Sequence, residues 1–173
     1  REEFDGSAWA RIARSHLGGL PPEVDLKAEV ALGNVVRALS AADGPDGRPL
    51  VRAAHDLSNG GLLQSLVDSA LRFGIGGVFD VAGAARRDSV GDHEMLLSES
   101  QARAFVAVPE VAVKAVFAAA EAEGVDAIRI GTTGGDMLAI SGVDLLAAEG
   151  EGCGWIASID ELRALSETGR KYF

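Results

Sequence analysis

Ala53-Ala54-His55-Asp56-Leu57-Ser58-Asn59-Gly60-Gly61-Leu62 is the stretch on which the reading of this chain turns. An apolar run from Leu50 to Ala54 ends in His55 and Asp56, a Ser58–Gly61 turn follows, and a helical pattern begins at Leu62. This is a strand, a glycine turn and a helix N-terminus in direct succession. Glycines in such a turn permit positive φ and let a ligand approach the backbone closely. The unpaired N–H groups of the first helical turn point toward any anion placed there. Asp56, at the strand's end, is positioned to bind a cation or hold a hydroxyl beside that site. The alternative is a plain strand-to-helix connection with Asp56 or Ser58 as N-cap.

Working outward from this stretch, the Phe4–Leu17 segment carries Trp9, Ile12, Ala13 and Leu17 at helical spacing, with Gly18-Gly19 as a stop. Pro21-Pro22 forces an extended connection. Asp25 reads as the N-cap of a second helix carrying Leu26, Val30, Leu32, Val35, Val36 and Leu39. Ala42 to Pro49 is a solvated turn. On the other side, Leu62, Leu63, Leu66, Val67, Ala70 and Leu71 form one stripe of a helix ending at Gly74. Ile75 to Val81 is a short strand, and Ala82 to Asp92 a polar loop whose Arg86 and Arg87 are able to reach a phosphate but read first as a solvated charge pair.

A second polar cluster, Leu97 to Arg103, heads a buried strand over Ala104–Val108. Glu99, Ser100, Gln101 and Arg103 bring a carboxylate, a hydroxyl, an amide and a cation together, a set able to orient a polar substrate. The competing reading is an N-capped turn whose Arg103 pairs with Glu99 on the surface. Val111 to Glu123 is an Ala-rich helix with Val113, Val116, Phe117 and Ala120 inward and Gly124 as its stop. Ala127 to Ile130 is a strand; Gly131-Thr132-Thr133-Gly134-Gly135 is similar to a phosphate-cradling loop, but a strand over Met137–Ile140 follows it and not a helix, which favours a hairpin connection. Gly150 to Gly154 is loop, Ser158 and Glu161 form a capping box for a last helix over Ile159–Leu165, and the tail from Gly169 to Phe173 lacks periodicity.

Strands and helices alternate without the strict repeat of a dinucleotide fold, and neither G-x-G-x-x-G after a strand nor G-x-x-x-x-G-K-[ST] occurs. The fold class expected is α/β, layered: one domain over residues 1–173, with 1–24 as a lead-in, built on a mixed sheet of four to five strands covered by helices. A length of 173 residues at 47% hydrophobic supports one core. A formal charge of −10 argues against a nucleic-acid or anionic-membrane partner. Backbone amides can still supply local positive potential for a small phosphorylated ligand. The single Cys153 excludes an internal disulfide, and no Cys/His cluster offers a structural zinc site. No signal peptide or long apolar run is present, so the expected location is cytoplasmic. The chain opens on Arg1, not Met, which raises the expectation of a piece of a longer protein.

H-D-L-S-N-G-G-L, L-L-S-E-S-Q-A-R-A-F-V-A-V and I-R-I-G-T-T-G-G, in this order and spacing, resemble the formylglycinamidine ribonucleotide synthetase family. This is the large component, or subunit II, of phosphoribosylformylglycinamidine synthase. Family members resemble two fused copies of an aminoimidazole-ribonucleotide-synthetase-like unit, each with an ATP-binding N-terminal domain and a C-terminal domain. The lead-in G-S-A-W-A-R-I-A…G-G-L-P-P-E-V-D-L and the ending I-D-E-L-R-A-L are similar to the second C-terminal domain.

The resemblance implies part of an ATP-dependent ligase of purine biosynthesis. ATP activates the amide oxygen of formylglycinamide ribonucleotide, and ammonia from a glutaminase subunit displaces phosphate to give the amidine. It implies ATP or ADP and Mg²⁺ as ligands of the whole protein, and the N-terminal domains and the glutaminase subunit as partners. By position, Asp56 matches the family's metal ligand, and Glu99, Ser100 and Gln101 match its substrate contacts. In the second copy these residues, with Ser58, Gly60, Gly61 and Arg103, map to a pseudo-symmetric nucleotide site without turnover. The family's turn is usually Asp-x-Ser-Asp-Gly-Gly, whereas Asn59 stands here in place of the second Asp and removes a carboxylate. His55 and His93 inherit no catalytic role, and no catalytic residue is expected in this domain. The alternatives are a non-catalytic binding or scaffold module, or another superfamily member: aminoimidazole ribonucleotide synthetase, thiamine-phosphate kinase or a hydrogenase maturation protein. The Ser-Glu-Ser-Gln-Ala-Arg cluster disfavours those other members. Because a domain cut from its neighbours exposes an apolar face, Trp9 and the first helix are expected to lie on one.

Overall fold

The computed structural model describes residues 3–142 and 154–169. Ser7 opens α1 (Ala8–Arg14), its hydroxyl accepting the Ala10 N–H at 3.1 Å. Ser15, at φ +50°, ends the helix before the glycines are reached. The helix is therefore shorter than the Phe4–Leu17 spacing predicts, and Phe4 instead lies against Trp9, ring centroids 4.9 Å apart. Asp25 caps α2 (Leu26–Ser40) as expected, its carboxylate accepting from Lys27 and Ala28. Val35 and Leu39 on the inner face of α2 form a small core with Leu50 and Ala112.

The strand before the glycine turn is β1 (Ala53–Asp56), set later in the chain than the apolar run because its register is fixed by its partner. That partner is β3 (Ala104–Ala107), antiparallel, with Asp56 opposite Ala104 and Ala53 opposite Ala107. The two make a separate ribbon. Helix α3 (Gly61–Phe73) follows the turn and ends at Gly74 in the left-handed conformation, as the stripe predicts.

The main sheet holds β2 (Gly77–Asp80), β4 (Gly131–Thr133), β5 (Met137–Ser141) and β6 (Gly154–Ser158), in the order β4-β2-β5-β6. It is mixed: β2 runs parallel to β5 and antiparallel to β4, and β6 is antiparallel to β5. One face, with Phe79, Leu138, Ile140 and Ala157, packs on Leu62 and Leu66 of α3 and on Leu162 of α7 (Ile159–Gly169). Each fully buried Leu, Ile or Phe here is worth about 1.5–3 kcal/mol. The capping box forms as read: Glu161 N–H donates to the Ser158 hydroxyl, and Ser158 N–H to the Glu161 carboxylate.

Several expectations are corrected. The polar loop over Ala82–Asp92 is instead helical, as α4 (Ala82–Asp88), followed by α5 (Asp92–Leu97). Ala84, Ala85, Met95 and Leu96 are buried in the main core, and Asp80 accepts the Ala82 N–H at 2.9 Å to start α4. Alanines carry the buried face there, so polarity concealed a helix. Ala127–Ile130 is not a strand; pairing begins at Gly131, where even a Cβ would meet the Val78 carbonyl. The following glycine turn is no hairpin connection either, because β2 lies between β4 and β5. A 3₁₀ turn, Glu110–Ala112, leads into α6 (Val113–Ala122), whose Phe117 is exposed, while Ala112 and Ala120 face inward. The loop read at Gly150–Gly154 lies outside the described residues up to its last position, and the tail beyond Gly169 lies outside them.

Candidate functional site

Gly60, at φ +77°, is the N-cap of α3, and Gly61, at φ +64°, is its first residue. Neither Asp56 nor Ser58 caps the helix by its side chain. The cap position itself has no side chain, and the N–H of Gly60 is taken by the Glu99 carboxylate at 2.7 Å. The same oxygen, Oε1, also accepts the N–H of Ala8 at 2.8 Å, in the first turn of α1. Glu99 thus brings the second polar cluster onto the glycine turn.

The rest of that cluster divides by burial. Ser100 is 3% exposed, and its hydroxyl has no hydrogen-bond partner among the described residues. Such a group loses its water without replacement, a cost of about 1–3 kcal/mol unless a ligand supplies the bond. Gln101 is exposed, its amide 3.5 Å from the Glu99 carbonyl. Ala102 holds φ +55°, sparse territory for a residue with a Cβ, and its N–H donates to Glu29 of α2 at 2.8 Å.

Arg103 does not pair with Glu99 on the surface, as the competing reading held. Its guanidinium is directed inward and donates to the Ser98 hydroxyl at 3.1 Å and to the carbonyls of Ser98 and Met95 at 3.4 and 3.2 Å. These are free carbonyls at the C-terminus of α5, where a cation is favoured. Burial holds the Arg103 guanidinium below its ordinary pKa, Asp88 opposing and Arg87 reinforcing the effect. Arg87 itself pairs with Asp88 at 2.6 Å, which holds the Asp88 carboxyl below its usual range.

Asp56 ends β1 with its side chain facing solvent, 75% exposed, and the His55 ring lies 3.4 Å away. The Ser65 hydroxyl lies 2.9 Å from the Asp56 and the Gly61 carbonyls, tying strand end to helix start. Ser58 and Asn59 are exposed. Two shallow hollows of about 350 and 340 Å³ lie elsewhere, one beside Phe117 and Val125, the other beside Asp80, Arg86 and Arg129. Sequence reading missed Glu29 and Ala8 as braces of the cluster. An acidic residue in a first helical turn reads only as a partner of its own helix dipole.

Trp9 is half-buried, with the Arg14 guanidinium 5.5 Å from its ring centroid. Ile12 of α1 and Leu17, Leu20 and Val24 of the segment after it are more than half exposed, as are Val78, Val111, Ile156 and Leu165 elsewhere.

Residues 2–141 match the family model described as AIR synthase related protein, C-terminal domain. A relative from Renibacterium salmoninarum, named phosphoribosylformylglycinamidine synthase subunit PurL, is 41% identical over 174 residues, covering 100% of this chain and 21% of its own length. The relative of the same name from Leifsonia xyli is 45% identical over 133 residues, covering 77% of this chain and 16% of its own length. The chain spans about a fifth of the curated relatives it matches. Among solved structures, PurLQS from Thermotoga maritima superposes with a TM-score of 0.64 at 17% identity, over 86% of this chain and 23% of the other. T. maritima PurL complexed with ATP gives 0.52 at 17% identity, over 65% of this chain and 19% of that one. Identities this low establish the shared fold, and the family match establishes kinship. The chain belongs to the AIR synthase related protein family, as a C-terminal domain of that family.

Proposed function

We propose that this chain works as one domain of a phosphoribosylformylglycinamidine synthase, the ATP-dependent ligase that makes formylglycinamidine ribonucleotide in purine biosynthesis. The observation that carries the reading is the 41% identity sustained along 100% of the chain to a relative of that name. Solved PurL structures in complex with ATP and with FGAR support the ligand classes, and the PurLQS assembly supports partner subunits; that one of them is a glutaminase is part of the proposal. The N-terminal domains of the same synthetase are the further partners, in the cytoplasm.

Within that protein the domain binds and does not turn over. The pseudo-site comprises Asp56, Ser58, Gly60, Gly61, Glu99, Ser100, Gln101 and Arg103. Asp56, Ser58 and Gln101 are its exposed polar side chains, and the Ser100 hydroxyl is the group left wanting a partner. Mg²⁺ characteristically takes one or two carboxylates together with phosphate oxygens and waters. The solvent-facing Asp56 fits such a role only with a nucleotide supplying the remaining oxygens, because Asn59 brings no charge and Glu99 is engaged by two amides.

The test replaces the corresponding domain of the Renibacterium relative with this chain and measures growth without purines. Growth is expected. A chimera that folds and accumulates but leaves cells dependent on purines would remove the assignment. The purified chain alone should form no amidine from substrate, ATP and ammonia, and steady turnover by it would overturn the domain reading.

A further inference from the structure

We propose that Glu99 is a positioning residue: its carboxylate fills the N-terminus of α3 and latches the lead-in helix α1 onto the glycine turn. It deepens the proposed site, resting on that reading only where a nucleotide is concerned. One oxygen, Oε1, accepts two backbone N–H groups from segments far apart in sequence, Ala8 at 2.8 Å and Gly60 at 2.7 Å. A helix N-terminus recruits an anion, and here the chain supplies its own.

The geometry around Glu99 has the features of a bracket. Ala102, held at φ +55°, aims its N–H at Glu29 of α2. Arg103 ties the same loop to the end of α5 through Met95 and Ser98, and the Arg103 carbonyl accepts the Leu57 N–H at 3.0 Å, extending the β1–β3 ribbon. Six residues, Ser98 to Arg103, thus join α1, α2, α3, α5 and β1. A left-handed alanine persists only where its surroundings over-determine it. Both bonds to Glu99 end on one oxygen, so the reach of an acceptor decides whether they form, and its charge adds to their strength. A glutamine keeps that reach. An aspartate is one methylene short.

The role separates Glu99 from its neighbours. Gln101 is left to face solvent, and a ligand anion can take the Gly60 N–H only by displacing Glu99, which releases α1.

Amide hydrogen exchange in the intact chain, read at Ala8 and Gly60 for the wild type and for Glu99→Gln, Glu99→Asp and Glu99→Ala, tests the latch. Glu99→Ala should speed exchange at both amides roughly tenfold or more, from loss of charge-assisted bonds. Glu99→Asp should lose protection at one or both, and Glu99→Gln, which keeps the reach and loses only the charge, should keep most of it. If Glu99→Ala does not fold, the contrast between glutamine and aspartate decides alone. Unchanged exchange in Glu99→Ala overturns the latch, as does protection kept by aspartate and lost by glutamine. Calorimetric titration with ADP and Mg²⁺ runs beside it. Absence of nucleotide binding by the wild type sinks the pseudo-site while leaving the exchange result standing; normal binding with unaltered exchange in Glu99→Ala sinks the latch alone.

Discussion

Ser58-Asn59-Gly60-Gly61 and Gly131-Thr132-Thr133-Gly134-Gly135 both close on paired glycines, yet their surroundings are opposite. At Gly61, φ is +64° and an added Cβ would lie 2.7 Å from the carbonyl oxygens of both Leu96 and Ser98. Gly134 and Gly135 also hold positive φ, but nothing stands within 4 Å of the place a Cβ would occupy. The first turn is walled by the cluster that Glu99 and Arg103 hold, and it starts a 13-residue helix. The second crosses the start of β2, exchanging hydrogen bonds with Gly76 as it passes from β4 to β5. A pair of glycines states that the backbone needs freedom. What packs on it decides whether that freedom serves a site or a crossing.

The comparison breaks first at Gly61. Gly61→Val should destabilise by about 3–5 kcal/mol, joining a left-handed β-branched residue to a collision with backbone that cannot yield cheaply. Urea unfolding measures it, and a loss under about 1 kcal/mol would show that the wall moves freely. Next, Arg103→Met should cost about 2 kcal/mol by leaving the carbonyls of α5 without their donor. The same substitution should soften Gly61→Val, because Arg103 anchors Ser98. A double-mutant cycle should give a coupling of about 1 kcal/mol, and strict additivity would disconnect the wall from the cation.

At the open turn, Gly135→Ala should cost only about 1 kcal/mol, the left-handed penalty without the collision. A loss matching that of Gly61→Val would erase the distinction between the turns. The smallest effect concerns pH. The Arg87 hydrogen bond holds the Asp88 carboxyl below its usual 3.8, so the unfolded chain takes up that proton first as pH falls. The pair's contribution is full above the unfolded value and disappears as pH drops through the folded one. Asp88→Asn should therefore flatten the acid limb of the stability curve below about pH 4 and leave its slope near neutrality alone. An unchanged acid limb would show that the pair adds nothing to folding.

Legibility in the sequence followed locality. The cap at Asp25 and the box at Ser158 and Glu161 are set by side chains within four residues of the backbone they satisfy, and the helix from Gly61 to Phe73 by a local apolar stripe with a left-handed Gly74 after it. The helices after Val81 escaped because alanine buries itself without announcing a stripe. Phe117 misled for the opposite reason: a large apolar side chain on a helix reads as core, yet small residues fill the contact with α2, Ala112 in the core cluster and Ala119 packed against it.

The chain by itself determined where α2 and α7 begin, that its sheet is mixed and that a glycine turn precedes its central helix, since period, cap and turn chemistry act over a few residues. It also carried the motifs by which the family is recognised. Only tertiary structure decided that β2 would part β4 from β5, that Arg103 would turn inward to carbonyls, and that Glu99 would reach both Gly60 and Ala8. Those outcomes join residues tens of positions apart, and the energies that choose among such partners depend on burial and reach, which exist only once the chain has closed on itself.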